Sequence, residues 1–283
     1  MKTGVPRPRS WRVNDLTIAG LSWGEPGARP LLALHGWLDN AASFSVLSPL
    51  LAEYHVVAPD LTGHGQSDWR CANATYQIWD DLPEILGVVE ALGWQDFDLV
   101  GHSRGAIISA LLAATVPERV RRLVLLDAIA PQPLDESAFP DQLRRFLEDK
   151  PRLLGRKNRV YDTMEKAVAS RRERGLPAEA AQLLAERNLR PCEGGVTWTT
   201  DPRLHGASAV KLTGGQIQAV LSRLAMPTLL LAADGAGRGR EVVEEARRHV
   251  PHLEVAAVAG GHHFHMETGV TGVAGQIRRF LQG

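Results

Sequence analysis

This sequence has few cysteines, no net charge and no long apolar runs. Its 283 residues include two cysteines, and Cys71 and Cys192 stand far apart without the spacing of metal ligands. Neither a disulfide framework nor a cysteine zinc site is therefore expected, and such sparing use of cysteine suits the reducing cytoplasm. Basic and acidic residues number 32 each, so no overall field favours nucleic acid or an anionic membrane as a partner.

Membrane and targeting segments are not evident either. No apolar run approaches the roughly 20 residues of a membrane-spanning helix. Residues 1–14 are polar and rich in proline and arginine, without the apolar centre of a signal peptide. The sequence therefore predicts a cytoplasmic protein with no membrane span. Because 44% of the residues are hydrophobic, the chain can bury a large core.

The most informative stretch surrounds Ser103. An apolar run ending at Val100 predicts a buried strand, and residues 106–114 predict an apolar helix. Between them the chain reads Gly-His-Ser-Arg-Gly, a G-x-S-x-G sequence at a strand-to-helix turn. Gly101 and Gly105 leave room for a turn so tight that the serine is strained and its hydroxyl is presented at the strand's end. Ser103 is therefore the candidate nucleophile.

The rest of the chain alternates between strand and helix patterns. Apolar or alternating segments predict strands, and segments with a 3.6-residue period predict helices. The predicted strands are a hairpin in residues 11–23 and single strands at 30–34, 55–58, 120–126, 227–232 and 253–258; the helices are 44–52, 76–92, 240–249 and 270–281. This alternation predicts an α/β fold with a mostly parallel central sheet and helices on both faces.

Residues 131–203 interrupt the alternation. Strand signals disappear there, and helical patterns rich in arginine and glutamate occupy residues 141–148, 157–174 and 178–189. We interpret this segment as a helical cap inserted into a core made of residues 1–130 and 204–283. An insertion at the carboxyl end of a strand lies over the crevice where open α/β sheets bind ligands. Phe139 and Trp198 are accordingly expected to line a substrate pocket.

A serine hydroxyl needs a base that removes its proton and a carboxylate that orients the base. His262 follows the last predicted strand in a Gly-Gly-His turn and is the candidate base. Asp127 and Asp234 each end a predicted strand, and either could orient His262. The nearby His263 and His265 raise the question of a metal, but no carboxylate or cysteine stands at ligand spacing, so no metal is expected.

Acyl transfer also needs donors that stabilise an oxyanion. The backbone N–H groups of Arg104, fixed by the turn, and of Trp37 are the candidates, and Gly36 allows a close backbone approach. The Trp37 side chain is a further candidate for contact with substrate. The Arg104 side chain has two open interpretations: it binds a substrate carboxylate, or it pairs with Asp39 or Asp60.

A glycine-rich stretch at residues 234–240 invites a dinucleotide interpretation. Its spacing is G-x-G-x-G rather than G-x-G-x-x-G, and it lies late in the chain. A loop at a strand end is the simpler interpretation, and no cofactor is expected.

Four segments together resemble one family. They read H-G-W-L-D-N (residues 35–40), D-L-T-G-H-G-Q-S (60–67), G-H-S-R-G (101–105) and G-H-H-F-H-M (261–266). This set resembles the α/β-hydrolase fold superfamily, and more narrowly its serine-hydrolase-like branch, from about residue 16 to the end. The resemblance implies that fold with an inserted cap, a Ser-His-Asp triad and an oxyanion hole.

The resemblance also bears on the choice of acid. Asp127 stands where many haloalkane dehalogenases carry theirs, whereas the commoner family position lies further into the loop that begins with Asp234. Asp127 is therefore favoured. Dehalogenase chemistry is not expected, because Ser103 and Arg104 replace the aspartate nucleophile and the halide-binding tryptophan of those enzymes.

The expected function is that of a serine hydrolase that cleaves a small-molecule carboxylic ester, or a related acyl bond, through an acyl-enzyme. Two alternatives stay open: a cofactor-free relative such as a perhydrolase, C–C hydrolase or lyase, and a non-catalytic member of the fold that binds a small molecule. The protein is expected to be a monomer or a homodimer.

Overall fold

A computed structural model describes residues 4–173, 175–234 and 240–283. The strands are β1 (Arg7–Val13), β2 (Leu16–Trp23), β3 (Arg29–Leu34), β4 (Tyr54–Pro59), β5 (Phe97–His102), β6 (Val120–Leu126), β7 (Val160–Tyr161), β8 (Leu189–Cys192), β9 (Gly195–Trp198), β10 (Thr228–Ala233) and β11 (Leu253–Val258). The α-helices are α1 (Leu82–Ala91), α2 (Arg104–Thr115), α3 (Phe139–Leu153), α4 (Met164–Arg172), α5 (Ala178–Asn188), α6 (Gly214–Leu221), α7 (Arg240–His249) and α8 (Val270–Gln282).

Eight strands form the central sheet in the order β1-β2-β4-β3-β5-β6-β10-β11. The first strand pairs antiparallel with the second, and the second pairs antiparallel with β4. All the other neighbours are parallel. The predicted mostly parallel sheet with an antiparallel edge hairpin is confirmed.

The central strands are apolar throughout because both faces of the sheet are covered. Residues 31–34 of β3 are completely buried, as are most residues of β4 and β5. One core lies on the face covered by α1, α2 and α6 and includes Phe97 and Ile108. The second core lies on the opposite face, where Phe44 and the α8 residue Ile277 pack against the sheet. Helices therefore cover both faces, as predicted.

The predicted helix over residues 44–52 is wrong. Two short 3₁₀ helices, Ala41–Phe44 and Ser48–Leu50, stand in its place. Asn40 caps the first of them by accepting the Ala42 N–H. Pro49 has no N–H to donate to the preceding turn, which prevents one continuous helix.

The predicted helix over residues 76–92 is confirmed only in its second half, since α1 begins at Leu82. The side chain of Asp80 accepts hydrogen bonds from the Thr75 hydroxyl and from the Gln77 N–H. This local bonding holds residues 75–80 in turns and competes with helix formation.

The segment from residue 131 to residue 203 is not wholly helical. It contains α3, α4 and α5, but also a three-stranded antiparallel sheet in the order β7-β9-β8. Gly194 and Gly195 turn the chain between β8 and β9 with φ values of 82° and 136°, which favour glycine. Strands this short, one of them containing Pro191, carry too little periodicity to be detected in the sequence.

Within the described ranges, none of the helices has the length and apolar character needed to cross a lipid bilayer.

Candidate active site

Ser103 occupies the turn between β5 and α2 with φ of 53° and ψ of −119°. This positive φ is costly for a serine and agrees with the strained turn expected from the sequence. The flanking glycines are required by space. A Cβ atom on Gly105 would lie 2.1 Å from the Leu34 carbonyl oxygen, and one on Gly101 would lie 2.4 Å from Ser109 Oγ.

Ser103, His262 and Asp127 form a continuous chain of contacts. His262 Nε2 lies 2.8 Å from Ser103 Oγ, and His262 Nδ1 lies 2.6 Å from Asp127 Oδ2. Because a carboxylate can only accept, Nδ1 carries the proton and Nε2 faces the hydroxyl with its lone pair. This is the arrangement in which an imidazole can remove a proton from a serine.

The second candidate acid takes no part in these contacts. Asp234 is exposed, and its backbone N–H donates to the carbonyl of Val258. Asp127 is mostly buried, and its Oδ1 accepts the Ala233 N–H at 2.8 Å, so its Oδ2 is held toward His262. The structure therefore gives the contact with the histidine to Asp127 rather than to Asp234.

One of the two expected oxyanion donors lies at the start of α2 and the other in the loop after β3. Arg104 is the first residue of α2, and its N–H points out of the helix start, where the helix dipole is positive. A Cβ atom on Gly36 would lie 3.0 Å from His102 Nδ1, which places the loop carrying Trp37 against the residue before the serine. Among the described residues, neither N–H has a hydrogen-bond acceptor.

The side chain of Trp37 is 48% exposed. Its indole N–H donates to the carbonyl of Leu204 at 3.1 Å, and its ring packs edge-on against His205. The side chain thus joins the loop after β3 to the chain that leaves the inserted segment.

The Arg104 side chain pairs with a carboxylate other than the two expected from the sequence. Its Nη2 lies 3.1 Å from Oδ2 of Asp81, so the expected pairing with Asp39 or Asp60 is wrong. Asp81 is buried beside a second cation, Arg70. Burial raises the pKa of this carboxyl above its usual range, although both arginines act in the opposite direction.

Asp39 and Asp60 pair with arginines of the inserted segment instead. Arg171 at the end of α4 donates to Asp39 Oδ1 at 3.2 Å and to the Leu38 carbonyl at 2.7 Å. Arg187 of α5 donates through Nε and Nη2 to the buried carboxylate of Asp60. Two helices of the segment are therefore attached to the loops around the site by buried ion pairs.

Neither of the other expected pocket residues contacts Ser103, His262 or Asp127 among the described interactions. Phe139 is 41% exposed at the start of α3. Trp198 packs in a small core within the inserted segment, and the guanidinium of Arg171 lies 5.7 Å from its ring centre. The ring of Trp198 therefore has a packing role inside the segment.

His102 is a site residue that the sequence reasoning missed. It is completely buried, and its Nε2–H donates to the main-chain carbonyl of His262 at 2.8 Å. Burial lowers the pKa of His102, which keeps the ring neutral. Its place inside the G-H-S-R-G sequence was the available signal, but nothing in the sequence showed that it would hold the backbone of His262.

A serine at a strand-to-helix turn, next to a histidine from the loop after the last strand, is an arrangement found in α/β hydrolases. The family model described as "alpha/beta hydrolase fold" matches residues 29–268. The chain belongs to this family. Its branch is the serine-hydrolase-like one, as the resemblance had implied.

Three known proteins are informative. A serine hydrolase-like protein of Dictyostelium discoideum is 30% identical over 274 residues, which cover 89% of this chain and 75% of that protein. The crystal structure of a hypothetical protein from Pseudomonas aeruginosa PAO1 is 38% identical with a TM-score of 0.88 and covers 97% of both chains. The thioesterase domain from the curacin biosynthetic pathway is 25% identical with a TM-score of 0.87, covering 97% of this chain and 99% of that one.

Proposed function

We propose that this protein is a serine hydrolase that cleaves a small-molecule carboxylic ester or a related acyl bond. The observation that carries the proposal is the pair of contacts of His262, 2.8 Å to Ser103 Oγ and 2.6 Å to Asp127 Oδ2. A fold alone does not define an activity, so we base the proposal on the contacts among the candidate nucleophile, base and orienting acid.

In the proposed reaction, His262 Nε2 takes the hydroxyl proton as Ser103 Oγ attacks the carbonyl carbon of the substrate. The carbonyl oxygen becomes an oxyanion, which accepts hydrogen bonds from the backbone N–H groups of Arg104 and Trp37. The tetrahedral intermediate then expels the alcohol, which receives the proton from His262, and an acyl-serine remains.

Water completes the cycle by the same route. His262 takes a proton from the water, the resulting hydroxide attacks the acyl carbonyl, and Ser103 Oγ leaves and recovers its proton. The role of Asp127 is to fix the ring tautomer and to stabilise the imidazolium that forms in each half-reaction.

Residues 131–203 are proposed to act as the cap over this site. Arg171 and Arg187 attach the segment to the loops that carry Asp39 and Asp60, and these loops flank the proposed oxyanion hole. Because two buried ion pairs attach the segment to these loops, it is expected to form a rigid wall of the substrate pocket.

The comparisons support acyl chemistry in general terms. The relatives are named serine hydrolase-like, and one structural neighbour is a thioesterase domain. The choice of a carboxylic ester over a thioester is our proposal.

Turnover of p-nitrophenyl esters with acyl chains of increasing length tests the function. Wild type should release p-nitrophenol, and Ser103→Ala should lose more than about 10³-fold in kcat/KM, as expected when a nucleophile is removed. The exposed Ser222→Ala variant is the matched control and should retain wild-type rates. Equal turnover by wild type and Ser103→Ala would refute the proposal.

A further inference from the structure

Three side chains next to the proposed catalytic residues bring metal-ligand atoms together. Asp39 Oδ2 lies 3.6 Å from His102 Nδ1 and 3.3 Å from His263 Nε2. All three ligand atoms lie within 4.8 Å of one another. We call these residues, Asp39, His102 and His263, the Asp-His-His cluster.

His102 has an unused lone pair in this cluster. Its Nε2 faces a main-chain carbonyl, which only accepts, so Nε2 carries the proton of the neutral ring. Nδ1 then has a lone pair directed toward the carboxylate of Asp39, and no described group donates a hydrogen bond to it. His102 Nδ1 and Asp39 Oδ2 are thus two buried acceptors that face each other, an arrangement that a proton or a cation between them would stabilise.

The two carboxylate oxygens of Asp39 have different neighbours. Its Oδ1 accepts from Arg171, whereas its Oδ2 faces both histidines. The side chain is 3% exposed. Its Oδ1 forms an ion pair with Arg171, an interaction that favours the ionised carboxylate. Asp39 is therefore ionised. Its Oδ2 accepts a hydrogen bond from His263 Nε2–H, and a metal ion bound there would displace that proton.

We propose that the Asp-His-His cluster binds a divalent zinc ion through Asp39 Oδ2, His102 Nδ1 and His263 Nε2. Zinc bonds of about 2.0–2.2 Å to nitrogen and oxygen, directed to tetrahedral corners, separate the ligand atoms by about 3.3–3.6 Å. The two separations of 3.3 and 3.6 Å match this spacing. A water molecule would complete the tetrahedron.

The surroundings of His102 favour the same conclusion. A ligating histidine usually donates its other ring N–H to a carbonyl or a carboxylate, which fixes the tautomer and the ring orientation. The bond from His102 Nε2–H to the carbonyl of His262 supplies this support. The sequence indicated no metal because residues 262–265 contain no carboxylate, and the fold provides one from residue 39.

Zinc at this position would oppose the proposed hydrolysis, and this consequence rests on the proposed function. The ring of His262 lies 4.8 Å from that of His102 and 5.2 Å from that of His263, centre to centre. A dication bound between His102 and His263 would repel the positive charge that the ring of His262 gains during acyl transfer. The cluster is therefore inferred to be an inhibitory zinc site.

Calorimetric titration of chelator-treated protein with zinc chloride tests binding without reference to activity. Wild type should bind one zinc per chain, and His263→Gln should weaken binding at least about tenfold, the smallest loss expected when a metal site is disturbed. The exposed His252→Gln variant is the matched control for loss of a histidine and should bind like wild type. Absence of one-to-one binding, or equal binding by His263→Gln and wild type, would overturn the proposal.

Two further measurements keep the outcome clear. Asp39→Asn preserves the shape of the side chain and should weaken zinc binding as His263→Gln does; circular dichroism establishes that each variant is folded. Nitrogen-15 spectra of histidine should show shifts at His102 Nδ1 and His263 Nε2 on addition of zinc, and no shifts there would contradict the site.

Ester turnover in the presence of zinc separates the two proposals. Inhibition of wild type that is relieved in His263→Gln supports the inhibitory site, whereas equal inhibition of both proteins refutes it. If wild type binds zinc at the cluster but hydrolyses no ester, the proposed function fails and the zinc site stands.

Discussion

The Nδ1 atom of His262 lies 2.6 Å from Oδ2 of Asp127, a residue 135 positions earlier in the chain. Asp127 follows β6, His262 follows β11, and β10 lies between these strands in the sheet. The gap is bridged because Asp127 Oδ1 is anchored to the N–H of Ala233 at the end of β10. The carboxylate is therefore fixed at one oxygen and presents the other to the histidine.

This relationship predicts different effects for the two candidate acids. Asp127→Asn should lower kcat by about 10³–10⁴-fold, because an amide no longer stabilises the imidazolium or its tautomer. Asp234→Asn should leave kcat near the wild-type value, because its carboxylate contacts neither His262 nor Ser103 in the described structure. Steady-state kinetics with a p-nitrophenyl ester measures both, and a larger loss in Asp234→Asn would contradict the assignment.

The turn that carries the serine should not tolerate a side chain at Gly105. Gly105→Ala places a Cβ atom 2.1 Å from the carbonyl oxygen of Leu34, so we expect a loss of stability of about 1–3 kcal/mol, as for other overpacked sites. Gly272→Ala in α8 is the matched control, because a Cβ atom there has no neighbour within 4 Å. It should be neutral or stabilising by up to about 1 kcal/mol. Urea unfolding checks the pair, and similar stabilities would contradict the packing.

The ion pair that attaches the inserted segment predicts that replacing Arg187 lowers the stability of the protein. Arg187→Met leaves the completely buried carboxylate of Asp60 without its ion-pair partner, which should cost about 3–5 kcal/mol of unfolding free energy. Arg172→Met, on the exposed face of α4, should change it by less than about 0.5 kcal/mol. Chemical denaturation compares the two, and a small effect of Arg187→Met would show that the pair contributes little.

Acid should destabilise the protein in part through His35. This buried ring donates from Nδ1 to the Gly36 carbonyl and accepts the Leu61 N–H at Nε2, an arrangement that needs the neutral form. Burial lowers the pKa of His35 below the value of 6.5 expected in the unfolded chain. The unfolded state therefore binds a proton first as pH falls, so the stability due to His35 is complete above about pH 6.5 and is lost below it.

Replacing His35 isolates this contribution. His35→Gln keeps an acceptor for the Leu61 N–H but does not titrate, so its unfolding free energy should fall less steeply between pH 7 and 5. The difference in slope should approach about 1.4 kcal/mol per pH unit, the value for one proton. His252→Gln, which removes an exposed histidine, should retain the wild-type slope. Parallel curves for wild type and His35→Gln would contradict the account.

The sequence was most informative where local geometry determines the structure. The turn at Ser103 needs glycine on both sides, and the buried strands of a parallel sheet are apolar throughout, so both features are evident in the sequence. His262 could be singled out because it follows the last strand in a glycine turn. The structure places Ser103, His262 and Asp127 in contact, while their catalytic roles stay predictions.

Contacts between distant segments were not predictable in the same way. His263 and Asp39 are separated by 224 residues, and no spacing pattern joins them. The partner of Arg104 was expected to be Asp39 or Asp60, which follow neighbouring strands. The structure pairs it with Asp81, which lies just before α1. The sequence pattern had placed Asp81 inside a helix, because it did not reveal the turns at residues 75–80. Long-range pairing of side chains depends on the assembled fold, which short-range patterns do not encode.

The central claim is that Ser103 is a nucleophile activated by His262. Labelling with a fluorophosphonate, followed by intact-protein and peptide mass spectrometry, tests it most directly, because this reagent needs an activated serine and no knowledge of the substrate. The account predicts one adduct per chain, located on Ser103 and absent from Ser103→Ala. No adduct on wild type, or an adduct that persists in Ser103→Ala, would contradict it.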